Sequence, residues 1–325
     1  MDKIIPIKVE KYVPIAFKSF QWKIHNVCNY NCSFCDSTNK SGSQRWFKLD
    51  QYYKYIDKLH ELSKGMPYWF QFTGGEPTLF PHFIELTKYA KNKGANVGVC
   101  TNGIRSLRWW EEIKNEKTLD FLFLTYHSEQ TNDYKHIADV VNLFHDQTTR
   151  TVVAVTHVYN SFSIAVEAHS YLLENTGAIV NLKAMYIDNI YNIYTPEELN
   201  YLLKNNYKLG KLNNSKKKSD LSDDLLIRHT LKVTHNNNDV TKVDPQYLVK
   251  TQKNKFTGWD CEIGYHNMRI DYDIVHRGVC EVGDARNLDD ENLSFSTDTV
   301  SCTRPECFCN ADLVATKYRP KHLFQ

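Results

Sequence analysis

Short apolar runs alternate with helix-periodic stretches along most of the chain. The runs Phe20–Val27, Trp69–Thr73, Asn96–Cys100, Phe121–Tyr126, Thr151–Tyr159 and Ala178–Tyr186 are rich in Val, Ile, Phe and Tyr and end in turn residues, so each predicts a β-strand. Between them, apolar side chains recur at helical spacing: Tyr52, Tyr53, Ile56, Leu59 and Leu62, then Phe83, Leu86 and Ala90 with Gly94 as a stop. Ile137, Val140, Val141 and Phe144 form a further stripe, and Ala165, Ala168, Leu172 and Leu173 another. Six strand–helix repeats in this order predict an α/β fold of parallel strands joined by right-handed crossovers. A doubly wound sheet and a partial barrel both satisfy the pattern. In either, ligands collect at the C-terminal ends of the strands.

Beyond these repeats, Thr195-Pro196-Glu197-Glu198 predicts a helix start, with Thr195 as N-cap and Glu198 completing a capping box. Lys204–Asp224 is polar, and its run Lys216-Lys217-Lys218 is followed by Asp220, Asp223 and Asp224, the pattern of a solvated loop. Leu231–Thr234 and Val240–Val243 flank a turn and predict a hairpin. The expected division is an N-terminal extension 1–19, a strand–helix domain 20–190, a bridging region 191–255 and a cysteine-rich domain 256–325.

Composition narrows the partners. Forty basic residues face 38 acidic ones, a formal charge of +2, so nothing pulls the chain strongly toward nucleic acid or anionic lipid. At 42% apolar and 13% aromatic residues the chain has material for a real core. Its apolar stretches, such as Phe121–Leu124 and Val152–Val155, are strand-sized, far below the roughly 20 residues of a membrane helix. Met1–Glu10 lacks the apolar region of a secretory signal. Nine cysteines without an export signal point to a cytoplasmic protein with metal or redox chemistry rather than disulfides.

The cysteines fall in groups. Cys28, Cys32 and Cys35 follow the first strand, Cys100 stands alone, and Cys261, Cys280, Cys302, Cys307 and Cys309 lie near the end. Three thiolates on one loop can hold a cubane and leave one iron open, as a catalytic metal keeps a position free. The alternatives are a zinc site completed by a distant histidine, or buried free cysteines; zinc sites usually repeat a Cys-x2-Cys pair, which the three-residue gap breaks.

Cys28-x3-Cys32-x2-Cys35, with Phe34 before the third cysteine, resembles the signature of the radical S-adenosylmethionine (radical SAM) superfamily. The resemblance implies a partial (β/α)6 TIM-type barrel over about residues 20–190, in which Cys28, Cys32 and Cys35 bind a 4Fe–4S cluster and SAM chelates its open iron. Gly74-Gly75-Glu76-Pro77 after the second strand resembles the family's GGEP motif, which contacts the SAM amino group. There the glycines would admit a ligand to the backbone and Glu76 would accept from an ammonium. Thr101-Asn102-Gly103 resembles the TNG segment, and His127 ends the fourth strand where family members place polar contacts to SAM. Cys100 reads as a small core residue, and His157 and Tyr186 as structural. The implied chemistry is reductive cleavage of SAM and hydrogen-atom abstraction by a 5′-deoxyadenosyl radical. It requires a one-electron reductant such as flavodoxin or ferredoxin.

The last five cysteines surround the stretch Asp271-Tyr272-Asp273-Ile274 and the turn His276-Arg277-Gly278, read as a hairpin. This resembles the twitch or SPASM extensions of radical SAM enzymes, the one-cluster twitch type best, because five thiolates cannot complete two cubanes. The implied cofactor is an auxiliary 4Fe–4S cluster on four of the five, the fifth being spare to donate a hydrogen atom. A zinc site in a C-terminal ribbon is the alternative. The resemblance implies a peptide or carbohydrate substrate that is epimerised, oxidised or crosslinked. The residues before the first strand are too few for a leader-recognition module, so a peptide would be presented by a separate recognition protein. A nucleoside- or RNA-modifying enzyme and a non-enzymatic iron–sulfur protein are the competing classes.

Overall fold

The computed structural model describes residues 4–144, 149–157, 161–184, 194–205, 208–212 and 230–324. The chain divides into two compact units, 21–218 and, from both ends of the chain, 1–20 with 219–325. Along the first two-thirds run β1 (Pro6–Lys11), β2 (Lys18–Lys23), α1 (Leu49–Leu62), β3 (Tyr68–Thr73), α2 (Phe83–Asn92), β4 (Asn96–Thr101) and α3 (Leu107–Glu116). They are followed by β5 (Phe121–His127), α4 (Tyr134–Leu143), β6 (Arg150–His157), α5 (Phe162–Asn175), β7 (Ile179–Ala184), α6 (Pro196–Lys204) and β8 (Lys208–Leu209).

In unit 21–218, β3 to β7 are parallel neighbours in sequence order, with β8 antiparallel against β7. Alternation along each strand sorts the side chains into two faces. Phe70, Phe72, Val97, Val99, Leu122, Leu124, Val153, Val155, Val180 and Leu182 are fully buried. Helices cover this face: Trp22 meets Tyr52 and Tyr55 of α1, and Phe72 meets Phe83 of α2. The intervening positions, among them Gln71, Cys100, Phe123, Thr125 and His127, are only half-buried. A doubly wound sheet would bury both faces; among the described residues the second face here is for the most part only half-buried.

Differences from the expected elements have local causes. β2 ends at Lys23 rather than Val27, because residues 25–27 leave the strand to bond the turn after β3. The helix α3 was invisible to periodicity, since only Trp110 and Ile113 of its side chains are buried. β6 is described over Arg150–His157, and Tyr159, Tyr186 and much of Lys204–Asp224 lie outside the described residues. The Thr195 capping box is present, Glu198 N–H donating to Thr195 Oγ1 at 3.2 Å and Thr195 N–H to Glu198 Oε2 at 2.9 Å.

The other unit contains β9 (Leu231–His235), β10 (Val240–Val243), α7 (Pro245–Lys250), β11 (Asp260–Cys261), β12 (Asn267–Asp271) and β13 (Ile274–His276). It continues with β14 (Arg286–Asn287), β15 (Val300–Ser301), α8 (Asn310–Leu313) and β16 (Lys317–Tyr318). One antiparallel sheet runs β10-β9-β1-β16-β11-β15. The segment expected as a separate extension, 1–19, is thus built into this sheet through β1, and the bridging region 191–255 divides between the units. Both expected hairpins form, β9–β10 and β12–β13. Among the described residues no helix is long and apolar enough to cross a membrane.

Candidate functional site

The loop between β2 and α1 carries Cys28 and Cys35, half-buried, and Cys32, buried. Its backbone is held from several sides. Tyr30 N–H donates to Cys28 Sγ at 3.4 Å, Cys35 N–H to the Cys32 carbonyl at 3.2 Å, and Lys40 Nζ to the same carbonyl at 2.6 Å. Residues just past β5 clamp the outer side: Glu129 accepts from Ser33 N–H and Oγ, each at 2.7 Å, and Gln130 Oε1 from Asn31 N–H at 3.2 Å. Asn26 shapes the return toward α1. Its amide nitrogen donates to the Thr38 carbonyl, Ser41 Oγ and Ser43 Oγ, and its Oδ1 accepts from Gln44 N–H at 2.8 Å.

Gly74-Gly75-Glu76-Pro77 follows β3 and packs against this loop backbone to backbone. Gly75 N–H donates to the His25 carbonyl at 2.9 Å and Glu76 N–H to the Val27 carbonyl at 2.8 Å. A Cβ on Gly74 would lie 2.5 Å from the His25 oxygen, and one on Gly75 2.2 Å from the Val27 oxygen. The glycines therefore admit the protein's own chain, where the sequence suggested a ligand. Glu76 is fully buried: Oε1 accepts from Thr78 N–H and Oγ1 and from Thr101 Oγ1, and Oε2 from Asn102 N–H at 2.7 Å. Its carboxylate ties the end of β3 to the end of β4. Burial raises its pKa, and these four donors act against that rise. Asn102 closes the circuit, its side-chain nitrogen donating to Asn29 Oδ1 at 3.0 Å.

His127, at the end of β5, joins the cysteine loop directly. Its ring stacks on Phe34 (5.7 Å, 7°), meets Tyr30 edge-on, and places Nδ1 3.4 Å from Cys32 Sγ. Burial, then the charge of Lys183, pulls its pKa down to about 4, so the ring is neutral. Burial pushes all three thiols up, Cys32 to about 12. A metal group bound here must therefore displace protons from them. Cys100 stays outside this group, on the half-buried face of β4, accepting from Gln71 Nε2 at 2.9 Å.

The C-terminal cysteines gather within the other unit. Cys261 and Cys280 share an apolar cluster with Ile263, Val300 and Ala315. Asp312 accepts from Val279 N–H and Cys280 N–H at 3.1 and 2.7 Å, and Asn254 exchanges two bonds with the Cys307 backbone. Arg304 Nε donates to the Cys280 carbonyl at 2.7 Å, and the Cys302 N–H bonds the Trp259 carbonyl. Cys309 precedes α8, its carbonyl accepting from Asp312 N–H and Leu313 N–H. Lys317, buried, donates to the carbonyls of Asp312, Leu313 and Ala315. Burial raises Cys261, Cys280 (to about 12) and Cys307.

Tetrahedral zinc would draw thiolates to about 3.8 Å of one another. Among the described residues, the one trio of ligand-type side chains whose donor atoms all lie within 4.8 Å is Asp271, His276 and Glu281. Neither cysteine group is closed to single-ion spacing, and a cubane spreads its thiolates wider. Asn26, Lys40, Glu129, Asp312 and Lys317 carry no motif by which the sequence could have revealed them.

The family profile of the radical SAM superfamily matches residues 22–159, which span the cysteine loop, the Gly74–Pro77 turn and His127. This region is similar to the radical SAM superfamily. Mycofactocin maturase MftC of Mycobacterium ulcerans is 32% identical over 110 residues, 32% of this chain and 28% of that protein. The 7,8-dihydro-6-hydroxymethylpterin dimethyltransferase of Methanocaldococcus jannaschii is 31% identical over 107 residues, 32% and 21% of the two chains. An S-adenosylmethionine-dependent nucleotide dehydratase of Flammeovirga pacifica is 28% identical over 135 residues, 39% and 44%. The chain thus spans less than half the length of these curated relatives. Its fold resembles native anSMEcpe with bound AdoMet (TM-score 0.53, 16% identity, 85% and 79% coverage) and Streptococcus suis SuiB (0.52, 12%, 86% and 65%).

Proposed function

We propose that this radical SAM protein cleaves SAM reductively and abstracts a hydrogen atom from a peptide, epimerising, oxidising or crosslinking it. The peptide class is supported by the similarity to a mycofactocin maturase and by the likeness to folds captured with the precursor peptide SuiA and with the Cp18Cys peptide. The observation that carries the reading is the joint between the cysteine loop and the Gly74–Pro77 turn, where two backbone bonds and two glycines that leave no room for a Cβ hold the motifs together.

In this reading the sheet is part of a (β/α)6 barrel, and Cys28, Cys32 and Cys35 hold a 4Fe–4S cluster. When bound, such a cluster would supply one electron for the cleavage of SAM. Phe34, Gly74, Gly75, Glu76, Pro77, Thr101, Asn102 and His127 form the SAM side. Glu76 does so indirectly, fixing Thr101 and the Asn102 backbone, while the neutral His127 ring and Phe34 shield the sulfur of Cys32 from water. Cys261, Cys280, Cys302, Cys307 and Cys309 form a twitch-like auxiliary site with one thiol spare, in a cytoplasmic enzyme served by a flavodoxin- or ferredoxin-type reductant.

Anaerobic reconstitution, iron counting and a search for 5′-deoxyadenosine after reduction with SAM test this. About eight irons per chain are expected, falling to about four in Cys28→Ala and in Cys280→Ala. No 5′-deoxyadenosine from the reduced wild type refutes the function, and four irons with one zinc refutes the auxiliary cluster.

A further inference from the structure

The half-buried face of the β3–β7 sheet carries two polar side chains that the cysteine loop and the Glu76 network leave unused. Lys183 is exposed on β7; it stands opposite Thr156, which stands opposite His127, so the three form one register row at the C-terminal ends of the strands. With neighbouring strands about 4.8 Å apart, its backbone lies about 10 Å from that of His127. Asn181 sits on the same face, in the row of Thr125 and Ala154. It is 5% exposed, and its Oδ1 has no hydrogen-bond partner among the described residues. A buried amide oxygen without a donor is a standing penalty that an incoming N–H removes.

Charge decides what comes with that N–H. Among the described residues, the one other charged side chain on this face of strands β3 to β7 is Arg150, at the far end of β6 with its guanidinium over the Phe121 ring (5.7 Å). One cation beside one neutral amide matches a monoanion. A di- or triphosphate would need several cations or a bound Mg²⁺. A carboxylate flanked by a peptide N–H meets both requirements.

We infer that Asn181 and Lys183 form a subsite for the C-terminal end of a peptide substrate, Lys183 pairing with its α-carboxylate and Asn181 accepting from its last peptide N–H. The inference rests on the peptide reading above and deepens it. The two Cα atoms are about 6.7 Å apart along the strand, and the rotatable lysine ammonium spans the difference.

The test is calorimetric titration of the anaerobically reconstituted full chain, with saturating SAM, using N-acetylglycylglycine, its C-terminal amide and inorganic phosphate as probes. The free acid is expected to bind about tenfold or more tighter than the amide. Lys183→Met should abolish that preference, Lys183→Arg should keep it, and Asn181→Leu should weaken acid and amide alike. SAM affinity, measured without probe, should be the same in Lys183→Met as in wild type. Equal binding of acid and amide, no binding of either, or phosphate binding tighter than the acid overturns the assignment. So does weakened SAM binding in Lys183→Met, which would hand the lysine to the SAM carboxylate. If the wild type does not bind SAM, the functional reading falls, while the acid-over-amide preference measured without SAM still decides the subsite.

Discussion

Replacing Gly75 by alanine tests the joint on which the site is built. The new Cβ would lie 2.2 Å from the Val27 oxygen, 2.5 Å from its carbonyl carbon and 2.9 Å from the Asn26 carbonyl carbon, all of them backbone. Ordinary contact between such atoms begins about 1 Å further out, so the chain must move rather than a side chain rotate. That movement breaks the bonds from Gly75 N–H to His25 and from Glu76 N–H to Val27, at 2.9 and 2.8 Å. Two net backbone bonds at about 0.5–1.5 kcal/mol each, plus about 1–3 kcal/mol of overpacking, give a loss of about 2–6 kcal/mol. Against a typical domain stability of about 5–15 kcal/mol this is severe. Gly65→Ala is the control: its φ of 76° strains an alanine, but nothing lies within 4 Å of the added Cβ. That strain is about 1–2 kcal/mol. Urea unfolding of the cluster-free chain, followed by tryptophan fluorescence, compares the two. A Gly75→Ala variant no less stable than Gly65→Ala refutes the hard backbone contact and, with it, the joint.

Other substitutions separate the supporting interactions. Asn26→Leu removes three donor contacts and one acceptor from the 38–44 turn and should lower stability by about 2–3 kcal/mol, read by the same urea titration. His169, buried in α5 with neither ring nitrogen hydrogen-bonded, has its pKa pulled down to about 4 by burial and then by Lys208. The unfolded chain takes up a proton near pH 6.5 and the folded chain only near 4, so stability is full above 6.5 and falls as pH drops toward 4, by up to about 3 kcal/mol. His169→Leu should flatten that slope; an unchanged slope contradicts the assignment. Thr195→Ala removes the capping box and should cost about 1 kcal/mol in thermal or urea unfolding.

Local features were legible in the sequence and non-local ones were not. Strand–helix order, the Thr195 cap and the β9–β10 hairpin follow from turn chemistry and periodicity within a dozen residues, and they appear where expected. The pairing of β1 with β9 joins Pro6–Lys11 to a strand more than 200 residues away, which no local pattern encodes. The cysteine loop and the Gly74–Pro77 turn were readable as chemistry from residue types alone. What those residues touch was not: Glu76 reads as a ligand-facing carboxylate until Thr101 and the Asn102 backbone, more than 20 positions on, are seen to occupy it. Clamps such as Glu129 on Ser33 come from a surface-type residue with no pattern of its own.

These ties share a logic that separates two kinds of defect. The cysteine loop is anchored from the ends of neighbouring strands: from β3 through Gly75 and Glu76, from β4 through Asn102, and from the turn after β5 through Glu129 and Gln130. Register across the sheet therefore helps to place the loop that carries the three sulfurs. Removing a sulfur, as in Cys28→Ala, deletes a donor and must change how much iron binds. Removing a tie, as in Glu129→Ala, keeps every donor and only loosens their arrangement, so iron content at saturation should be unchanged while loss to a chelator accelerates. The bonds between Ser33 and Glu129 are exposed to water, which reduces what they contribute, so the acceleration should be modest and smaller than for the buried contacts at Gly75. A Glu129→Ala protein that binds less iron at saturation would show that the clamp does more than orient, and would place the carboxylate itself among the donors.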